Sequence, residues 1–133
     1  ACKYKMFKFG FPGYLDTEEG LAAYNEYCSG LLTPRILKNY AGRVFANELS
    51  LKNSFSAVYN ALLEYFPKGD AWTLTLRAKR GLRDTSKPGA FTKDHLYLKG
   101  FLKVKDFAEK GGDMSKLYVG KIGVEHVPLL DYI

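Results

Sequence analysis

Cysteine and histidine are both scarce in this sequence. It contains two cysteines, Cys2 and Cys28, and two histidines, His95 and His126, among 133 residues. Two cysteines are too few for a disulfide framework, and without a CxxC pair they do not predict a zinc site of their own. Free thiols are typical of a reducing compartment, so we expect a cytoplasmic protein. Both histidines are expected to be surface or packing residues rather than metal ligands.

Long apolar stretches are also missing. No run approaches the ~20 apolar residues that cross a bilayer as a helix, and the N-terminal sequence ACKYKMFKFG lacks the apolar region of a signal peptide. The sequence therefore predicts no membrane association. Aromatic residues, in contrast, are abundant, with ten Tyr and nine Phe. The length predicts that residues 1–133 form a single domain, or a fragment of a larger one, with enough apolar residues for a core.

Basic residues outnumber acidic ones, which gives the chain a net charge of +6. The simplest interpretation is that the lysines and arginines lie on solvated helix faces. Two other interpretations are an acidic protein partner and nucleic acid. Because the sequence contains no RNP, KH, zinc-finger or basic-zipper pattern, we do not expect nucleic-acid binding.

Capping residues and apolar periodicity predict three helices in the first half of the chain. Asp16, with Glu19 three residues later, has the spacing of a capping box and predicts a helix that ends at Cys28. Pro34, which follows a threonine, predicts the start of a second helix, because proline is favoured at the first helical position. A broad apolar face predicts a third helix over residues 53–66.

The second half is less regular. Residues 72–77 alternate like a strand, but their setting favours a short helix, which is the interpretation we adopt. Thr92 is predicted to cap a long helix that carries Asp94 in its first turn and ends at the glycines of positions 111 and 112. The tail has no clear periodicity. The sequence thus predicts a mainly α fold, with the option of one short strand pair.

Three short segments are distinctive in their content and order. They are residues 13–22 with the sequence GYLDTEEGLA, residues 77–89 with RAKRG followed by DTSKPG, and residues 91–100 with FTKDHLYLKG. Together they resemble the microtubule-associated tyrosine carboxypeptidase family, whose bacterial relatives are known by a QEGLA motif. The resemblance extends over about residues 7–122.

This resemblance implies a helical portion of a gluzincin-type zinc peptidase. In such an enzyme two histidines of an HExxxH helix bind zinc, the glutamate of that helix is the general base, and another glutamate is the third ligand. The third ligand matches Glu19 in the EGLA segment here. The implied activity is removal of a C-terminal tyrosine or a similar residue from a protein tail, notably that of tubulin in eukaryotic members.

The sequence departs from the family pattern at the histidines. Neither His95 nor His126 is followed by glutamate, so the chain has no HExxxH motif. In the family this motif precedes the EGLA segment. We therefore expect the chain to be a C-terminal portion that holds no catalytic residue, contributes to zinc binding only in the intact protein and is inactive alone.

Each candidate site residue also has an alternative interpretation. Glu19 could serve only as the capping-box partner, and Glu18 is an alternative ligand one residue earlier. The resemblance favours Lys79, Arg80 and Lys93 as residues that bind the substrate's C-terminal carboxylate, since basic side chains do so by charge-assisted hydrogen bonds. The alternative for these three is a solvated basic patch.

Two functions from other classes remain open from the sequence. The chain could be a non-catalytic module that binds an acidic peptide, or a helical domain that binds nucleic acid. An HExxxH motif in the same protein would favour the enzyme, and salt-dependent oligonucleotide binding would favour nucleic acid.

Overall fold

A computed structural model of the chain describes residues 5–132. These residues are mainly α-helical, as the sequence predicts, and none of them forms a strand, so the optional strand pair is absent from this part of the chain. The α-helices are α1 (Met6–Phe9), α2 (Tyr14–Cys28), α3 (Pro34–Ser50), α4 (Phe55–Leu62), α5 (Lys68–Lys79) and α6 (Leu96–Glu109). Three 3-10 helices cover Thr92–His95, Met114–Tyr118 and Val124–Tyr132. No helix between residues 5 and 132 is long and apolar enough to cross a membrane.

The chain divides into two compact units. Unit 1 contains the residues up to Thr33 and those from Leu96 onward, which include α1, α2, α6 and the last two 3-10 helices. Unit 2 is Pro34–His95, which includes α3, α4, α5 and the first 3-10 helix. The EGLA segment belongs to unit 1, whereas Lys79, Arg80 and Lys93 belong to unit 2.

In unit 1, α2 and α6 contact each other at a glycine of each helix, so no side chain lies between the two backbones. A Cβ atom built on Gly20 would lie 2.3 Å from the carbonyl oxygen of Gly100, and one built on Gly100 would lie 2.0 Å from the carbonyl oxygen of Asp16. Both distances are far shorter than van der Waals contact, so the two backbones touch directly, which only glycine permits. The core of unit 1 is formed by Phe7, Leu21, Val104, Leu117, Ile122 and Val127.

The start of α2 differs from the predicted one. The helix begins at Tyr14, its N-cap is Gly13 with φ at 82°, and no side chain caps it. Glycine adopts this left-handed conformation without strain. The helix can therefore begin earlier in the sequence than a cap at Asp16 would allow. The Asp16 side chain is buried in the first turn and forms an ion pair with Lys99 at 2.6 Å. The predicted capping box between Asp16 and Glu19 is therefore wrong.

Unit 2 is built around an apolar core shared by α3, α4 and α5. Its buried side chains are Ala46, Val58, Leu62, Phe66, Ala71, Leu74 and Ala78. Residues 72–77 lie inside α5, which confirms the helical interpretation of this segment. The α3 helix starts at Pro34, as predicted.

The structure corrects the predicted boundaries of two helices, α4 and α6. α4 is shorter than the predicted 53–66, because Ser54 is its N-cap and accepts a hydrogen bond from the Ala57 amide at 3.3 Å. Thr92 does not cap a long helix but begins a 3-10 turn, and α6 starts only at Leu96. The Thr92 carbonyl accepts a hydrogen bond from the Asn47 side-chain amide at 3.4 Å, which diverts it from a helical ladder.

Candidate functional site

Glu19 lies in the N-terminal half of α2. It is half-buried, whereas Glu18 is exposed. The helix under it is held to α6 by the glycine contact and by the Asp16–Lys99 ion pair. Since the capping box does not form, the alternative explanation of Glu19 as a cap no longer applies. Glu19 therefore projects from a backbone that is fixed in place, as a metal ligand would need to be.

A cavity borders α2 on the side of Glu18. Its volume is about 600 Å³, and its walls include Tyr14, Glu18, Asn25, Tyr118 and Lys121. The Asn25 amide donates a hydrogen bond to the Tyr118 hydroxyl at 3.1 Å, which joins α2 to the 3-10 helix of Met114–Tyr118. Glu19 is not part of this wall, since consecutive helical residues point about 100° apart.

A metal ion needs more ligands than the described part of the chain brings together. Among residues 5–132 no group of three or more histidine, cysteine, aspartate or glutamate side chains could hold a metal ion. His126 instead accepts a hydrogen bond through Nδ1 from the Gly123 amide at 2.9 Å and packs on Phe11, while His95 Nδ1 contacts the Thr92 carbonyl. The described residues therefore do not form a zinc site by themselves.

Lys79 is almost completely buried, with 1% of its surface exposed. Its ammonium group donates to three backbone carbonyls, those of Ser50 at 3.1 Å, Asn53 at 2.5 Å and Lys87 at 2.8 Å. Burial lowers the pKa of the Lys79 side chain below its ordinary value. These bonds join the end of α3, the α3–α4 connection and the DTSKPG loop. In this conformation the ammonium group holds the loop and is not presented to a substrate.

Replacing Lys79 with methionine is expected to destabilise unit 2 by about 2 kcal/mol, because three backbone carbonyls, one of them in a buried and two in part-buried hydrogen bonds, lose their donor. The matched control is Lys87→Met, which removes an exposed ammonium from the same loop and should change stability by less than about 0.5 kcal/mol. Urea unfolding followed by circular dichroism gives both values. Equal stabilities of the two variants would contradict the structural role of Lys79.

Arg80 is part of a charged cluster that the 3-10 helix of Thr92–His95 completes. The Asp94 carboxylate, only 3% exposed, accepts from Arg77 Nε at 2.6 Å and from Arg80 Nη2 at 2.9 Å. The Arg80 guanidinium also lies 4.1 Å from the centroid of the Phe91 ring, within cation–π range. Two guanidinium groups thus share this one carboxylate. The Arg80 side chain is 39% exposed and can reach an anion in solvent.

Lys93 is exposed and lies beside Asp94 in the same 3-10 helix. It does not lie at the N-terminus of α6, which begins three residues later, at Leu96. Arg80 contacts Asp94, and Lys93 precedes Asp94 in the chain, so the backbone of Lys93 lies close to the Arg80 cluster. Lys79 is set apart from them by its burial.

Sequence interpretation missed two members of this cluster. The sequence does not single out Arg77 as a binding residue, and it predicts for Asp94 only an interaction with the dipole of a helix. The signal for Arg77 is its position in the last turn of α5, three residues before Arg80, which directly follows the helix. No comparable signal in the sequence pairs Asp94 with residues of α5.

Comparison with known proteins identifies the family. The sequence matches the family described as microtubule-associated tyrosine carboxypeptidase over residues 2–133. Similar curated proteins are microtubule-associated tyrosine carboxypeptidase 1 of Mus musculus (30% identical over 92% of this chain and 26% of that protein) and of Rattus norvegicus (36%, 92% and 26%). The Homo sapiens protein of the same name is 32% identical over 90% of this chain and 25% of its own length.

The chain thus spans about a quarter of the length of these curated relatives. No solved structure matches it significantly. The family match covers nearly all residues, including the EGLA segment on α2, the RAKRG segment at the end of α5 and the FTKDH segment that contains the following 3-10 helix. The chain therefore belongs to the microtubule-associated tyrosine carboxypeptidase family.

Proposed function

We propose that this chain is the C-terminal portion of a zinc carboxypeptidase that removes a C-terminal tyrosine, or a similar residue, from a protein tail. The observation that carries the proposal is the family match over residues 2–133. The relatives are named as tyrosine carboxypeptidases, and this chain matches about a quarter of their length. The gluzincin fold and the zinc chemistry are part of the proposal.

Glu19 is proposed as one zinc ligand of the intact protein. A carboxylate beside two imidazoles leaves a position for water, and zinc lowers the pKa of that water when it is bound. The two histidines and the general base have no counterpart in this sequence and are expected from elsewhere in the intact protein. The contribution of this chain is a half-buried carboxylate on a helix that glycine packing holds in place.

Arg80 and Lys93 are proposed to bind the substrate's terminal carboxylate. The supporting geometry is the ion pair that fixes Arg80 on Asp94, together with the 39% exposure of the Arg80 side chain. Asp94 fixes one edge of the Arg80 guanidinium, so an arriving carboxylate meets a side chain that is already oriented. Lys79 supports this site indirectly, by holding the loop that leads to Phe91.

The chain alone is expected to release no tyrosine from a peptide, with or without added zinc, because no zinc-bound water can form without the HExxxH residues. The measurement is tyrosine release from a peptide that ends in tyrosine, with a chelator control. Turnover that depends on zinc and survives repurification would contradict the proposed division of the site.

In the intact protein, Arg80→Ala is expected to raise KM for a peptide that ends in a free carboxylate by about tenfold, because a charge-assisted hydrogen bond is lost. The matched control is Arg83→Ala, which removes an exposed arginine three residues later and should leave KM nearly unchanged. Steady-state kinetics on both variants make the test. Equal KM values for the two variants would exclude Arg80 from substrate binding.

A further inference from the structure

The positive charge of the chain is concentrated in unit 2. Residues 34–95 contain 11 lysines and arginines but only 5 aspartates and glutamates, a net charge of +6. The remaining residues contain 9 of each kind and are neutral overall. The basic character of the protein is therefore a local property of one 62-residue unit, as expected for a binding surface rather than for general solubility.

Part of this charge lies along one exposed stripe of α3. Arg35, Lys38, Gly42 and Phe45 follow each other at spacings of three or four residues and so lie on one face of the helix. Arg35, Lys38 and Phe45 are exposed. The stripe thus begins with two cations and ends with an aromatic ring.

An apolar recess opens beside this stripe. Its volume is about 370 Å³, and its walls are Lys38, Ala41, Gly42, Phe45, Tyr65 and Phe66. We call this surface the α3 recess. It has room for one side chain, and its single charged wall residue is a lysine.

The rings of the α3 recess are arranged to receive another aromatic group. Phe45 and Tyr65 stand edge to face, with centroids 5.6 Å apart and planes at 86°. Gly42 lets the Phe66 ring approach the helix, since a Cβ at this position would lie 2.7 Å from Phe66 Cζ. Lys38 Nζ lies 5.1 Å from the centroid of the Phe66 ring, at the edge of the recess. An inserted aromatic ring would contact the edge of one ring of the recess and the face of another, which is the geometry that aromatic pairs prefer.

We propose that the α3 recess is a docking site for an acidic polypeptide segment that inserts one internal aromatic side chain. The recess takes the ring, and Arg35 and Lys38, which lie toward the N-terminal end of α3, neutralise carboxylates of the segment on that side of the ring. Because the segment needs no free chain end, this site differs from the one proposed for the substrate carboxylate, and it requires neither zinc nor peptidase activity.

The same charge could attract nucleic acid, but the aromatic geometry favours a polypeptide. Single-stranded nucleic acid is bound on flat, exposed ring faces on which successive bases stack. Here Phe45 and Tyr65 lie at right angles and form the walls of a concave space of side-chain size. Such a shape fits one inserted side chain better than a series of stacked bases.

The test is the binding of labelled peptides to the chain, measured by fluorescence anisotropy at low salt. The probe is a short peptide of glutamate and glycine with one central phenylalanine and an amidated C-terminus. The matched probe has alanine in place of the phenylalanine and is expected to bind about tenfold more weakly, because the recess stays empty. The amide excludes recognition of a terminal carboxylate.

Two charge-reversal variants distinguish binding in the α3 recess from attraction by the overall charge of unit 2. Lys38→Glu is expected to weaken binding of the phenylalanine peptide about tenfold, because it places a like charge against the segment. Lys52→Glu makes the same change at an exposed position outside the recess and should weaken it no more than about twofold. Tyr65→Ala should weaken the phenylalanine peptide but not the alanine peptide, with folding of each variant checked by circular dichroism.

Each other outcome overturns the proposal. Equal affinity for the two peptides, or equal losses from Lys38→Glu and Lys52→Glu, would mean attraction by net charge alone. Tighter binding of a single-stranded oligonucleotide than of the phenylalanine peptide at the same salt concentration would identify a nucleic-acid surface. Absence of peptide binding would exclude the docking site without affecting the proposed peptidase function.

Discussion

Replacing Glu19 with glutamine in the intact protein is expected to remove most of the bound zinc and to lower activity by at least about 100-fold. Glutamine keeps the size of the side chain but lacks the negative charge that zinc prefers in a carboxylate ligand. Because the N-cap of the helix is Gly13 and no capping box involves Glu19, the substitution leaves the cap of α2 unchanged. The measurements are zinc per protein after dialysis, activity, and the thermal unfolding midpoint of the same sample.

Glu18→Gln is the matched control, since it makes the same chemical change on the adjacent, exposed residue of α2. It should keep both zinc and activity, because Glu18 points about 100° away around the helix. Loss of zinc from Glu18→Gln alone would move the ligand assignment by one residue. If both variants retain stoichiometric zinc, Glu19 is not a ligand.

Gly100→Ala is expected to destabilise unit 1 by about 3 kcal/mol, although alanine normally favours a helix over glycine. The added Cβ would lie 2.0 Å from the Asp16 carbonyl oxygen, and a backbone atom cannot rotate away as a side chain can. The helices α2 and α6 must separate to make room. The Asp16–Lys99 ion pair, which joins the same two helices, should weaken with them.

Gly69→Ala provides the control for Gly100→Ala. Gly69 is also inside a helix, α5, and a Cβ there would meet nothing within 4 Å. This change should stabilise the protein slightly, by up to about 1 kcal/mol, through reduced entropy of the unfolded chain. Urea unfolding should show that the free energy of unfolding falls in Gly100→Ala and rises in Gly69→Ala. A neutral Gly100→Ala would mean that the two helices do not touch as described.

The helices could be predicted from the sequence wherever local signals agreed. Pro34 and the glycine pair after α6 mark boundaries that the structure confirms, because their backbone preferences act locally. Asp16 was misassigned because a good capping residue also serves as a buried ion-pair partner for Lys99, and only the tertiary contact decides between them. Thr92 was misassigned for a similar reason, since Asn47 of another helix engages its carbonyl.

The candidate site was predictable in part. The family resemblance selects Glu19, which is half-buried on α2, and Arg80, which directly follows α5 and contacts Asp94. Local sequence does not reveal that Lys79 is turned inward to three carbonyls while its neighbour Arg80 is turned outward to Asp94. Adjacent basic residues look alike in a sequence, and only the packing of the loop against α3 separates them.

The three carbonyl bonds of Lys79 also make it a chemical reporter of the folded state. Acylating reagents attack a neutral, accessible amine, so this buried lysine should stay unmodified while exposed lysines such as Lys52 and Lys87 are labelled. Once the DTSKPG loop opens, Lys79 becomes accessible. Mass spectrometry of peptides that contain Lys79 would then measure how often the loop opens, without any mutation and within a mixture of other proteins.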